Sequence, residues 1–295
     1  MTEFLQSVVG GLGNGSIYVL LALGFVIIYK SMRIVSFAQP ALMVAGTVLV
    51  SYLVGSVGFW LAVLIGILFA AALGVAIERT ALRPMIGKPV FVIVIITLGI
   101  DIVVRVIVNG FIGQEVRQVG DPWGLSTVDI FGFPLQQRYL AMTIVTAVVV
   151  TALLAFYRYS RLGLAMRAAS VDQEAAMAQG ISIGVVFALS WAIAGGLATL
   201  AGTFAATGAG LDQGTWIIAL KALPAIILGG LDSVNGAVIG GLTVGLVESF
   251  VGAYQDDLAP WLGDNFAAVS PYVVMLLVLL VRPYGLFGTP EVERV

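Results

Sequence analysis

Between Arg33 and Glu78 the sequence carries no charged side chain. A water-facing surface of that length cannot be built without charge, since soluble domains place roughly a quarter of their residues as Asp, Glu, Lys or Arg. The rest of the chain follows suit: of 295 residues, 60% are hydrophobic and 10% charged, with mean hydropathy +1.08. Crossing the hydrocarbon core takes ~20 apolar residues. Runs of this kind fall at about 5–29, 34–54, 59–77, 90–112, 139–157, 184–207, 236–254 and 266–281. The first, from Phe4 to Tyr29, is too long for a signal-peptide core and is expected to be a retained span. A shorter stretch, about 216–231, contains Lys221, Pro224, Gly229 and Gly230, and either crosses or re-enters as a broken piece. The expected fold is an all-α polytopic transmembrane bundle of eight or nine segments, one domain over 1–295.

Lys and Arg set the orientation. With the N-terminus outside, the cytoplasmic loops hold Lys30, Arg33, Arg79, Arg83, Lys88, Arg158, Arg161, Arg167, Arg282 and Arg294, and the outer loops only Arg117 and Arg138. That is a strong positive-inside bias, with the C-terminus in the cytoplasm. The outer loops are acidic, with Glu115, Asp121, Asp129, Asp256, Asp257 and Asp264. The longest, about 113–138, contains Pro122, Trp123 and Pro134. It reads either as a cap or docking surface, or as a connector with Trp123 at the interface.

Several chemistries are excluded. The chain has no Cys and no His, so thiolate catalysis, Cys/His zinc sites and Ser-His-Asp triads are absent. The nearest approach to a phosphate-binding loop, Gly87-Lys88-Pro89, lacks the upstream glycine and the hydroxyl that such a loop needs. No cofactor, metal site or enzymatic activity is expected, and no nucleic-acid partner; any energy source must be an ion gradient or another subunit.

Four charges lie at or near membrane depth: Asp101, Arg105, Lys221 and Glu248. Each costs ~2.5–3.5 kcal/mol at a helix centre unless it pairs or faces water. Asp101 and Arg105, four apart, share a helix face; they read as the lining of a solute path or as a self-neutralised pair. Lys221, beside Pro224, is expected to snorkel to an interface. Glu248 reads as an interhelical hydrogen-bond partner or a pathway residue. Phe37, Gln39 and Pro40 interrupt the start of the second span, where freed backbone groups can meet a solute or simply form a loop-to-helix transition. Gly236 and Gly240, with Ala237, Gly241 and Gly245, recur at four-residue spacing, as do Ala198 and Gly202; small residues so placed let helix backbones approach.

The polar segment at about 158–183 stands apart. Ser170 is expected to cap a short helix with Asp172 and Glu174 in its first turn and Gly180 at its end. Glu174-Ala175-Ala176, with Gly180 four residues on, matches the EAA-x-x-x-G signature of the cytoplasmic loop in permease subunits of ABC importers. Other stretches agree: Tyr18 after Gly15-Ser16-Ile17, Tyr159-Ser160-Arg161-Leu162-Gly163, Leu228-Gly229-Gly230-Leu231 and Arg282-Pro283-Tyr284-Gly285-Leu286-Phe287-Gly288. From the first span to the last, the chain resembles the LivH-type permease subunits of branched-chain (hydrophobic) amino acid ABC importers.

The resemblance implies a second homologous permease subunit, two cytoplasmic ATPase subunits that hydrolyse ATP, an extracytoplasmic solute-binding protein and a lipid bilayer around the spans. It implies that Arg161, Glu174, Ala175, Ala176 and Gly180 lie in the coupling segment, and that solute crosses by alternating access. Two places depart from the family pattern: Gln39-Pro40 where it reads close to His/Gln-Gly, and Gly99-Ile100-Asp101 where it reads Gly-Leu-Ser. These are expected to alter the solute range. Read from the residues alone, an ion-coupled secondary transporter or a passive channel also fits the buried charges.

Overall fold

The computed structural model describes residues 2–124, 126–130, 133–258, 261 and 266–289. Asp264 and Arg294, counted above for orientation, lie outside the described residues. Four helices come first: α1 (Thr2–Met32), α2 (Gln39–Val57), α3 (Phe59–Ile77) and α4 (Val90–Ile112). A two-stranded antiparallel hairpin follows, β1 (Thr127–Ile130) and β2 (Phe133–Gln136), with Val128 opposite Leu135. Then come α5 (Gln137–Tyr159), α6 (Arg161–Val171), α7 (Gln173–Ala178), α8 (Ile183–Ala209), α9 (Ile217–Gly229), α10 (Val234–Leu258) and α11 (Phe266–Val281). Among the described residues, seven helices are long and apolar enough to cross a membrane, α1 to α5, α8 and α10; α9 and α11 are shorter apolar helices.

Hydrogen bonds gather the helix ends into two opposite faces. At one, Arg33 Nη2 donates to Ser170 O, Gln173 Nε2 to Ser31 O and Lys30 Nζ to Asp232 O, and this face carries α6 and α7. At the other, Gln6 Nε2 donates to Pro134 O, Gln213 Nε2 to Gly113 O, and Arg117 pairs with Leu211 through the backbone, beneath the hairpin. Helix α9 starts at the hairpin end and finishes beside Asp232 at the other. The stretch that the sequence leaves open between crossing and re-entry therefore runs from end to end. At ~1.5 Å per residue its helix covers only about 20 Å of a ~30 Å core, and the turns on either side make up the distance. Pro224 lies inside it and has no N–H for the carbonyl of Leu220.

The far end of α9 is finished by residues from the tail of the chain. The amides of Leu286 and Phe287 donate to the carbonyls of Leu228 and Gly229 at 2.8 and 3.0 Å. These carbonyls belong to the last turn, which has no amide of its own to accept from.

The second helix begins later than the apolar run does. Ile34, Ser36 and Ala38 are buried in a non-helical entry, and the helix starts at Gln39 with Pro40 in its first turn, where a missing N–H is harmless. The loop before the hairpin is fastened to the bundle. The ring of Trp123 meets those of Phe59, Trp60 and Phe204, and Arg138 Nε lies 3.4 Å from Asp121 Oδ2.

Helix α1 is the axis: 89% of its apolar window is buried, against 17% for α4 and for α5. Leu20, Leu21, Leu23, Ile27 and Ile28 on all its sides are fully enclosed, which is how a helix without an apolar stripe is accommodated. Its tightest neighbour is α10, and the small-residue rows seen in the sequence make both contacts of that helix. A Cβ at Gly245 would come 2.3 Å from Gly15 Cα, and one at Gly240 would come 2.1 Å from Ala225 O in α9. Backbone meets backbone on two faces of α10.

Gly245→Val should destabilise the protein by at least about 3 kcal/mol, the upper end of ordinary overpacking, because no side chain can move aside. Gly110→Ala, where nothing stands within 4 Å of a Cβ, should be neutral or stabilising by up to ~1 kcal/mol. Thermal unfolding of both variants in one detergent checks the difference; equal melting temperatures would refute the close contact.

Candidate functional site

The polar segment folds into a pair of short helices at one end of the bundle. Ser160 caps α6, its Oγ accepting from Gly163 N at 2.8 Å. Asp172 caps α7, its Oδ1 accepting from Ala175 N at 3.0 Å. Ser170 therefore does not hold the capping role expected of it: it lies in the last turn of α6, and its Oγ donates to its own helix at Arg167 O. Asp172 is extended, with φ −151° and ψ 113°, so its carboxylate reaches the first free amides of α7. Gly180 closes the segment at φ +83°, and the Ile181 amide returns to Ala176 O. That left-handed conformation is open to glycine at little cost.

Arg161, Glu174, Ala175 and Gly180 are exposed here, and Ala176 is buried against the bundle. The surface also presents apolar side chains, with Val171 86% and Met177 54% exposed. The segment grips α1 through two bonds, Gln173 Nε2 to Ser31 O at 2.8 Å and Arg33 Nη2 to Ser170 O at 3.0 Å. Arg33 itself ends α1 in a left-handed conformation, φ 55°, which for a residue with a Cβ costs about 1–2 kcal/mol. Lys30, one turn earlier, reaches Asp232 O between α9 and α10. One helix end thus joins the polar segment to the broken part of the bundle.

The four charges at membrane depth form two pairs. Asp101 Oδ2 accepts from Arg105 Nε at 2.7 Å, and Arg105 Nη2 lies at the same distance. The guanidinium stacks 3.9 Å from the centre of the Trp216 ring. The Asp101 carboxylate is buried, and the backbone amide of Ala41, in the first turn of α2, is directed at it. One turn before it, Thr97 Oγ1 accepts from the amide of half-buried Phe37, so α4 meets the entry to α2. Gln39 and Pro40 are not part of that group. Gln39 is fully buried, with Nε2 donating to Ala194 O and the amide against Gly24, between α1 and α8. Pro40 is buried in the first turn of α2.

The second pair is Lys221 Nζ to Glu248 Oε1 at 2.5 Å, and Tyr18 OH donates to Glu248 Oε2. Lys221, expected to snorkel, instead gives its ammonium to an acceptor on the neighbouring helix, and its side chain is 21% exposed. Helices α1, α9 and α10 are joined at one carboxylate. Sequence reasoning missed Tyr18 and Trp216. The available signals were a phenol within an apolar span, which needs a partner, and an aromatic ring near an unscreened cation.

Residues 7–281 match the family described as the permease component of branched-chain amino acid transport systems. The chain is 32% identical to the high-affinity branched-chain amino acid transport system permease protein LivH of Salmonella typhimurium, over 99% of this chain and 98% of that one. It is 31% identical to the corresponding permease BraD of Pseudomonas aeruginosa, with the same coverage. In fold it resembles PsaBC from Streptococcus pneumoniae, solved in complex with Fab, with a TM-score of 0.51 at 14% identity over 95% of this chain and 92% of that one. With so much of its length matched, the chain belongs to the family of multi-pass permease components of branched-chain amino acid ABC transport systems.

Proposed function

We propose that this chain is the membrane subunit of an ATP-driven importer. In this reading it pairs with a second homologous permease. Two cytoplasmic ATPase subunits dock on the α6–α7 face, and an extracytoplasmic binding protein delivers solute to the hairpin end. Its own residues hydrolyse nothing. The observation that carries the reading is the exposed α6–α7 pair, capped at both starts and bonded to the end of α1. A partner that moves this pair moves Ser31 and Arg33, and through Lys30 the α9–α10 turn. The basic side chains of this end, Arg161 and Arg167 among them, support placing it in the cytoplasm. Solute then crosses by alternating access, each state presenting the path to one side.

The solute is a branched-chain or hydrophobic amino acid, or a related small solute. Arg105, held flat on Trp216, suits a carboxylate, and the Asp101 carboxylate suits an ammonium. Phe37 adds apolar surface one turn away. Pro40 acts indirectly by fixing the backbone where α2 begins, and Gln39 by holding α2 to α8. Lys221 and Glu248 hold α9 against α10 beside the path.

Glu174→Lys and Gly180→Leu should leave membrane insertion unchanged while uptake falls at least about tenfold, equivalent to ~1.4 kcal/mol of lost association. Co-purification with the ATPase subunits and transport in proteoliposomes check this; normal values for both variants would remove the coupling role. Asp101→Ser and Pro40→Gly should each shift the order of preference among competing amino acids, and unchanged preference in both would discard the assignment. Lys221→Met should destabilise the subunit by about 3–5 kcal/mol by stranding Glu248, and Lys221→Met with Glu248→Met should recover most of the loss. A double variant no more stable than the single one would show that the two side chains do not depend on each other.

A further inference from the structure

Helix α4 packs along α2, and its flank toward α3 stands open. Between the three helices lies a cleft of about 480 Å³, within the ~300–1,000 Å³ typical of ligand sites. Its floor is buried, at Ala45, Val48 and Val108, and its walls are exposed, with Phe69 at 44%, Ile107 at 57% and Phe111 at 57%. The one polar lining group, Tyr52 OH, is already committed to Phe111 O at 2.8 Å. From Ala45 to Tyr52 and from Val104 to Phe111 the cleft follows both helices for about 10 Å, from the middle of the bundle to its hairpin end. In a bilayer such a space opens on hydrocarbon, and an acyl chain fills it without stranding any polar group.

The mouth of the cleft is charged. Arg117 stacks 3.9 Å from the centre of the Tyr52 ring, with Nε donating to Ser51 Oγ and Nη1 to Phe111 O. Arg138, the other basic side chain at this end, is paired with Asp121. Arg117 has no carboxylate partner among the described residues. A guanidinium held by a ring and two neutral acceptors keeps its charge and its outer N–H groups for a phosphate.

We infer that this cleft binds one anionic phospholipid, with an acyl chain between α2, α3 and α4 and its phosphate on Arg117. The site is separate from the Asp101–Arg105 pair and does not rest on the transport reading.

The test is native mass spectrometry of the full-length permease released from mixed micelles of dioleoyl phosphatidylglycerol and dioleoyl phosphatidylcholine. One phosphatidylglycerol per chain should be retained, preferred about fivefold over phosphatidylcholine, as one basic side chain near an anionic headgroup provides. Arg117→Gln should abolish the preference while a lipid is still retained. Ile107→Trp, at an exposed wall, and Ala45→Phe, at the floor, should each reduce retention of both lipids. Size-exclusion profiles matching the parent identify which variants are folded, and Ile107→Trp serves if Ala45→Phe is not. Equal retention of the two lipids by the parent protein would overturn the inference. So would a preference unchanged by Arg117→Gln, stronger retention of oleate than of phosphatidylglycerol, or a photo-crosslinker at position 107 that captures a second copy of the chain instead of lipid.

Discussion

Lipid tails are as apolar as leucine, so helices in a bilayer gain little by hiding hydrocarbon from one another. What holds this bundle together is dispersion between surfaces close enough to touch along their backbones, as in the contact of α1 with α10 at Gly15 and Gly245. The same helix presents Gly240 to α9 on its other side. With α1 enclosed by α10, α8, α5 and α9, the remaining helices have an axis to pack on. The Lys221–Glu248 pair depends on this closeness. Tyr18 and Lys221 reach the two oxygens of one carboxylate because three helices stand near enough for their side chains to meet.

Much of this was legible beforehand. The apolar runs locate the long helices, since length and absence of charge are read directly; 90–112 and 266–281 coincide with α4 and α11. The rows of small residues on 236–245 were visible, and their partners were not: which helix a glycine faces depends on long-range packing that one sequence does not state. The start of α2 was misplaced because Ile34 and Ala38 are as apolar as any helical residue, and only burial distinguishes a folded-in loop from a span. At the polar segment, the order of caps turned on two residues. Ser170 and Asp172 are both good capping residues, and the backbone angle at Asp172, rather than its chemistry, decides between them.

The charged residues show a similar division. The i, i+4 spacing of Asp101 and Arg105 makes their contact local, so it could be anticipated. The Lys221–Glu248 contact joins two helices, and no local rule foresees it. Gln39, grouped with Phe37 and Pro40 by position in the chain, proves to face α8 rather than α4, because neighbours along a helix start point in different directions. Proximity in sequence put these three residues together, and geometry separates them.

The bonds from Leu286 and Phe287 to the end of α9 carry a consequence for biosynthesis. The carbonyls of Leu228 and Gly229 emerge early, yet their acceptor sites are filled only when residues made much later arrive. Until then the last turn of α9 presents two carbonyls without these partners. The end of α9 on the α6–α7 face is therefore closed last, by the tail of the chain.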